Sequence, residues 1–162
     1  MGGILDTKGN LVRKAYDRLS GLPRGKRIFS RLIGLLAPYT GSVGADVVEV
    51  RDGFARVRLT DRRAVRNHLD CVHAIALANL AELTGNLAVS YSMPDDARFI
   101  VAGMSIEYLK KARGTIVGEC ECEIPPTSDK REYLVPVKMM NKAGEVVATA
   151  SLRTLVGPKP SR

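Results

Sequence analysis

The chain of 162 residues has no tryptophan, three phenylalanines and five tyrosines. A surface that stacks successive nucleobases on aromatic rings is poorly supplied by such a composition. There are three cysteines, Cys71, Cys120 and Cys122, and an odd number argues against a disulfide framework. Cys120 and Cys122 stand two apart in a strand-like run, so their side chains share a face. That spacing is not C-x-x-C, and the two histidines do not complete a convincing zinc set with them. No metal site is expected. No apolar run approaches the roughly 20 residues that cross a bilayer, so no membrane span is expected. Reduced thiols and the lack of a secretory pattern point to a soluble, cytoplasmic protein.

Acidic residues are scarce at the N-terminus. Residues 1–31 carry Lys8, Arg13, Lys14, Arg18, Arg24, Lys26, Arg27 and Arg31 against Asp6 and Asp17, a net +6 out of +8 for the whole chain. Basicity is thus a local feature, suited to nucleic acid, anionic lipid or an anionic small molecule. Its plainest reading is a solvated helix face. The segment lacks a helix-turn-helix pattern, so no nucleic-acid partner is expected.

The apolar fraction of 45% and the length fit one globular domain with a real core. Residues 9–19 read as a short helix, and Leu22-Pro23-Arg24-Gly25 breaks it. The run IFSRLIGLLAPY spaces its apolar residues as a helix does, with Pro38 as its stop. Two strands, 46–51 and 54–60, flank the hairpin signal Asp52-Gly53. A polar loop, 61–70, leads into a long helix over 72–91. Four strand-like runs follow, at 99–109, 115–123, 133–141 and 146–156. This order predicts an α+β fold, an antiparallel sheet covered by the long central helix. The expected organisation is a helical extension packed on the domain (1–42), the domain itself (43–157) and a flexible tail (158–162).

The central helix poses the functional question. Asn79, Glu82 and Asn86 lie three and four apart, forming one thin polar line in a cylinder of Ala, Leu and Gly. Such a helix must be covered nearly all round. A carboxylate there is costly unless paired or hydrogen-bonded, and a desolvated carboxyl suits a general base or nucleophile. His73 stands where the helix begins, and free amides at a helix start favour an oxyanion or carbonyl oxygen. Asn67, in the entering loop, has the chemistry to orient a water or a carbonyl.

Together these residues resemble the hotdog-fold acyl-CoA thioesterases of the phenylacetate-degradation and 4-hydroxybenzoyl-CoA type. Their pattern is N-x-x-G-x-x-H-G-G, with Leu seven and Asp or Glu nine residues after the His. Asn67, His73, Leu80 and Glu82 fall at those spacings. The run Ile106 to Gly114 is similar to the family's Y-L-x-P-A-x-G strand and turn. Leu22-Pro23-Arg24-Gly25 and Ala37-Pro38-Tyr39-Thr40-Gly41 are similar to stretches of an uncharacterised, DUF4442-like branch. The family's Gly-Gly is Ala74-Ile75 here, and its earlier glycine is Asp70. Ile75 narrows the approach to the Ala74 amide, and Asp70 adds negative charge.

The resemblance implies a hotdog fold and hydrolysis of an acyl-CoA thioester, with no cofactor beyond the CoA of the substrate. It implies Glu82 as general base or nucleophile and the Ala74 amide as polariser of the thioester carbonyl. Asn67 positions water or carbonyl, and His73 holds the loop. Asn79, Lys110, Lys111 and Arg113 are substrate-binding candidates, the cations for the CoA phosphates. A homodimer or dimer of dimers is implied, with the site between subunits. A hydroxyacyl dehydratase shares the fold but needs His and acid facing each other across a dimer. A non-catalytic acyl-CoA or lipid binder is the reading that Ala74-Ile75 favours.

Overall fold

The computed structural model describes residues 9–160. Three helices come first: α1 (Leu11–Ser20), α2 (Gly25–Leu36) and α3 (Pro38–Ser42). Strands β1 (Asp46–Arg51) and β2 (Phe54–Leu59) precede α4 (Ala74–Ser92). Strands β3 (Ala97–Tyr108), β4 (Ile116–Glu121), β5 (Arg131–Met140) and β6 (Val146–Pro158) follow it. The six strands form one antiparallel sheet in the order β1-β2-β4-β5-β6-β3.

The β1–β2 hairpin closes where expected, and Gly53 at φ 67° supplies the left-handed conformation the turn requires. The helix α4 contacts all six strands. Thirteen of its 19 residues are buried, so it is covered nearly all round, as its composition requires. Leu80, Ala81 and Ala88 are fully buried, against a sheet face that includes Val57, Ile116, Val135, Val137 and Leu152. Each such leucine or valine contributes roughly 1.5–3 kcal/mol. The approach is close. A Cβ at Gly118 would sit 2.7 Å from Thr84 Oγ1, so only glycine fits there.

The N-terminal helices are fastened to this unit. Asn10 is buried and caps two helices at once: its Oδ1 accepts from Arg13 N–H (3.0 Å), and its Nδ2 donates to Ser90 O (2.6 Å) and Met93 O (3.2 Å). The Tyr16 hydroxyl accepts from Val50 N–H (3.0 Å), and its ring meets Phe29 edge-on with centroids 5.1 Å apart.

Three local expectations need correction. Pro38 does not simply end a helix. The chain leaves α2 at Leu36 and Pro38 opens α3, where a missing N–H costs nothing. The loop 61–70 contains a 3₁₀ turn, Arg63–Val65. The tail is held further than expected. β6 continues to Pro158, and Lys159 N–H donates to Asp96 O at 2.8 Å. Lys8 and Asp6 of the basic segment lie outside the described residues, as do 161 and 162. No described helix is long and apolar enough to cross a membrane.

Candidate functional site

The chain enters α4 through a tightly braced loop. Val72 N–H donates to Ala112 O (2.8 Å) and His73 N–H to Val65 O (2.8 Å). Asn67 Oδ1 accepts from the amides of Leu69 (2.9 Å) and Cys71 (3.4 Å) and from the Cys71 thiol (3.3 Å). Its carbonyl half is thus spent on the loop. Its Nδ2 donates to no group among the described residues and is the half left for a ligand.

Asp70 sits at φ 53°. That is the left-handed conformation for which the related pattern keeps a glycine, and Asp is one of the few other residues that tolerates it. Its side chain is 87% exposed, 3.6 Å from the Arg66 guanidinium. Asp61 braces the same loop, accepting from Arg66 Nε (2.7 Å) and Nη2 (3.2 Å) and from Gly114 N–H (3.0 Å). The Arg66 hydrogen bond, with help from the Gly114 amide, holds the Asp61 carboxyl below its ordinary 3.8.

His73 is the N-cap of α4, and its Nδ1 accepts from Ile75 N–H (3.1 Å). This assigns the ring proton of a neutral imidazole to Nε2. The Ile75 amide is therefore occupied, while the Ala74 N–H has no acceptor among the described residues. The Ile75 side chain is 54% exposed at the same helix end. Tyr108, which the sequence reading left unassigned, donates from its hydroxyl to Ala74 O (3.1 Å). Burial pushes its phenol upward.

Further along α4, Glu82 is half-buried, and no hydrogen bond or ion pair reaches its carboxylate among the described residues. Asn79 is buried on the same line. Its Nδ2 donates to Tyr39 O of α3 (3.4 Å), while its Oδ1 has no partner among the described residues. Asn86 Oδ1 is likewise buried and unpartnered. The Asn86 side chain also borders a cavity of about 400 Å³, with Ile33, Leu36 and Thr40 from α2 and α3, Leu83 and Leu87 from α4, and Phe99 from β3. An apolar cleft of this size with one or two polar groups is typical of small-molecule sites.

The three cations differ. Lys110 Nζ is paired with Glu145 Oε1 (2.8 Å), and that bond, with one from Asn141, holds the Glu145 carboxyl low. Lys111 and Arg113 are exposed and make no ion pair among the described residues. They flank Ala112, whose carbonyl anchors the start of α4. The segment that carries these two cations, which have no ion-pair partner among the described residues, is thus hydrogen-bonded to the chain two residues before Ala74. The structure brings Asn67, His73, Ala74, Lys111 and Arg113 to one end of α4. It leaves Asn79 and Glu82 nearer the middle, about 7.5 and 12 Å further along than Ala74 at 1.5 Å per residue.

Cys120 is buried and Cys122 half-buried, both unbonded to any partner cysteine. The hydrogen bond that the Cys120 thiol donates to its neighbour Cys122, together with burial, pushes the Cys120 thiol up, so it stays protonated, and the same bond lowers Cys122.

Residues 25–156 match the family described as a domain of unknown function, DUF4442. A solved structural-genomics protein is 32% identical over 91% of this chain and 97% of its own, with a TM-score of 0.78. A Pseudomonas aeruginosa protein described as a probable thioesterase is 22% identical, over 85% of this chain and 97% of its own, with a TM-score of 0.73. A Streptococcus mutans protein solved bound to acetyl-CoA is 20% identical, over 73% of this chain and 92% of its own, with a TM-score of 0.61. No curated protein matches the chain. The chain belongs to the DUF4442 family and has the hotdog fold of its thioesterase-like structural neighbours.

Proposed function

We propose that the protein is an acyl-CoA thioesterase. The observation that carries this reading is an unused amide donor, Ala74 N–H, at the start of the helix whose middle holds an unpaired, half-buried Glu82. The amide polarises the thioester carbonyl and takes up charge as the oxyanion forms. Glu82 removes a proton from water as the water oxygen attacks the carbonyl carbon. Collapse of the tetrahedral intermediate breaks the C–S bond, and the CoA thiolate leaves and is protonated. If Glu82 attacks directly, the first product is an acyl anhydride that water then opens. Asn67 Nδ2 positions the carbonyl or the water. Lys111 and Arg113 meet the CoA phosphates, with Lys110 available if it leaves Glu145. The cavity beside Asn86 takes the acyl group, and Asn79 stands on the same line of α4 between it and the helix start.

The 12 Å between donor and acid within one chain favours a homodimer. Strand β3 is a 12-residue edge, paired among the described residues only with β6, and its Ile100, Met104 and Tyr108 are exposed. An unprotected apolar edge of that length invites pairing. Two-fold antiparallel pairing along β3 sets the Tyr108 end of one copy against the Phe99 end of the other. Tyr108 is bonded to Ala74, and Phe99 lines the cavity beside Leu83 and Asn86. A second copy therefore carries its α4 start to the Glu82 side of the first. The acetyl-CoA bound by a fold relative supports the ligand class.

The test is thiol release from a panel of short, medium, long and aromatic acyl-CoAs. Turnover of any class supports the reading. A protein that binds CoA esters without releasing thiol is instead a non-catalytic acyl-CoA or lipid binder, the alternative favoured by the occupied Ile75 amide.

A further inference from the structure

The helix α2 is apolar on two sides. Inward it buries Phe29 against Tyr16 and presents Ile33 to the core. Outward it exposes Ile28 (44%), Leu32 (41%) and Leu35 (76%), spaced four and three apart as one helical stripe. Leu22 before α2 and Tyr39 on α3 are exposed as well. Arg24, Arg27 and Arg31 are exposed, seven residues from first to last, and run beside this stripe. None of the three has an ion-pair partner among the described residues. Between Asp17 and Asp46 the chain has no acidic residue but carries Arg18, Arg24, Lys26, Arg27 and Arg31. Lys26 is turned inward onto Val48 O at 2.7 Å.

We infer that this outer face of α2 docks in the plane of an anionic lipid bilayer. An exposed leucine ridge flanked by arginines is what an interfacial helix needs. The apolar side chains enter the boundary between headgroups and acyl chains, and the guanidinium groups meet phosphates. The charge pattern selects this occupant over a second copy. A two-fold interface through α2 would set Arg24, Arg27 and Arg31 against the same residues of the other copy, and neither α2 nor α3 carries an acidic residue to pair with them. Asp46, which lines a cleft with Arg27 and Arg31, is already paired with Arg58. A single helix of about 18 Å gives reversible, charge-dependent attachment rather than insertion. Ile33, from the inner face of α2, and the half-exposed Leu36 at its end line the cavity beside Asn86. Docking therefore sets that cavity next to the membrane surface. The inference does not rest on the thioesterase reading, because the lipid face and its test need no acyl-CoA.

The test is co-sedimentation of the full chain with vesicles of phosphatidylcholine, with and without phosphatidylglycerol. The wild type is expected to sediment with the anionic vesicles, to bind the neutral ones far less, and to lose binding as salt rises. Leu35→Glu is expected to lower the partition coefficient at least about tenfold, and Arg31→Glu roughly fivefold. Both positions are exposed, so thermal melts should match the wild type. Equal weak sedimentation with both vesicle types overturns the inference. So does anionic-vesicle binding that survives both substitutions. If the wild type ignores vesicles and folded Leu35→Glu falls to a smaller oligomer in sedimentation velocity, the face belongs to a second copy and the inference fails.

Discussion

The Tyr108 hydroxyl donates a 3.1 Å hydrogen bond to the carbonyl of Ala74, tying the end of edge strand β3 to the first residue of α4. The bond spans 34 positions of sequence and fixes the peptide beside the amide proposed to polarise the substrate. Tyr108→Phe keeps the ring and removes only this bond. It is expected to lower kcat/KM roughly fivefold, the worth of about 1 kcal/mol, with kcat falling more than KM changes. Steady-state thiol release measures it. An unchanged kcat would show that the Ala74 peptide needs no such anchor.

Asp70 occupies a left-handed position at φ 53°, with its carboxylate outward near Arg66. Asp70→Ala should destabilise the protein by about 1–2 kcal/mol, since alanine pays the full cost of that conformation. Asp70→Gly should be close to neutral. Thermal unfolding of the pair decides it. Equal losses for both would place the role in the carboxylate instead.

The Asp61 carboxyl is held below its ordinary 3.8 by Arg66 and the Gly114 amide. A depressed carboxyl stabilises the fold above its unfolded value. That stability is lost as pH falls through the lower folded value, because the unfolded state then binds the proton first. The stability difference between wild type and Asp61→Asn should therefore be constant near neutral pH and shrink as pH falls below 3.8. Denaturant melts across an acid series measure it. A gap independent of pH would contradict the assignment.

Asn86 Oδ1 is buried without a partner among the described residues, a cost of about 1–3 kcal/mol. The Asn86 side chain borders the cavity proposed to take the acyl group. Asn86→Leu is expected to raise the stability by up to about 1 kcal/mol and to lower kcat/KM for acyl-CoA esters. A stabilised variant with full activity would mean that the oxygen serves no ligand.

Much of this fold was legible because its signals are local. Alternation from Phe54 to Leu59, the Asp52-Gly53 turn and the uninterrupted apolar helix from Ala74 each act over a few residues. The spacing of Asn67, His73 and Glu82 was legible because all three belong to one loop and helix. Contacts between distant segments were not. Nothing near Tyr108 announces that its hydroxyl meets Ala74, nor near Asn79 that it meets Tyr39, 40 residues away. The pairing of Lys110 with Glu145 likewise depends on strands meeting side by side. Pro38 misled because the same residue that ends one helix is well suited to open another. The place of β3 beyond β6, at the far edge of the sheet, is a property of topology that no single strand encodes.

The most direct test concerns Glu82. Wild type and Glu82→Ala are compared for thiol release from the acyl-CoA panel, with binding of the same esters measured in parallel. The account predicts turnover of at least one acyl class by the wild type. It also predicts a fall of at least about a hundredfold in Glu82→Ala, with ester binding largely kept. Equal thiol release by the two proteins, at any rate, would contradict it, because the carboxylate on α4 would then have no part in the chemistry.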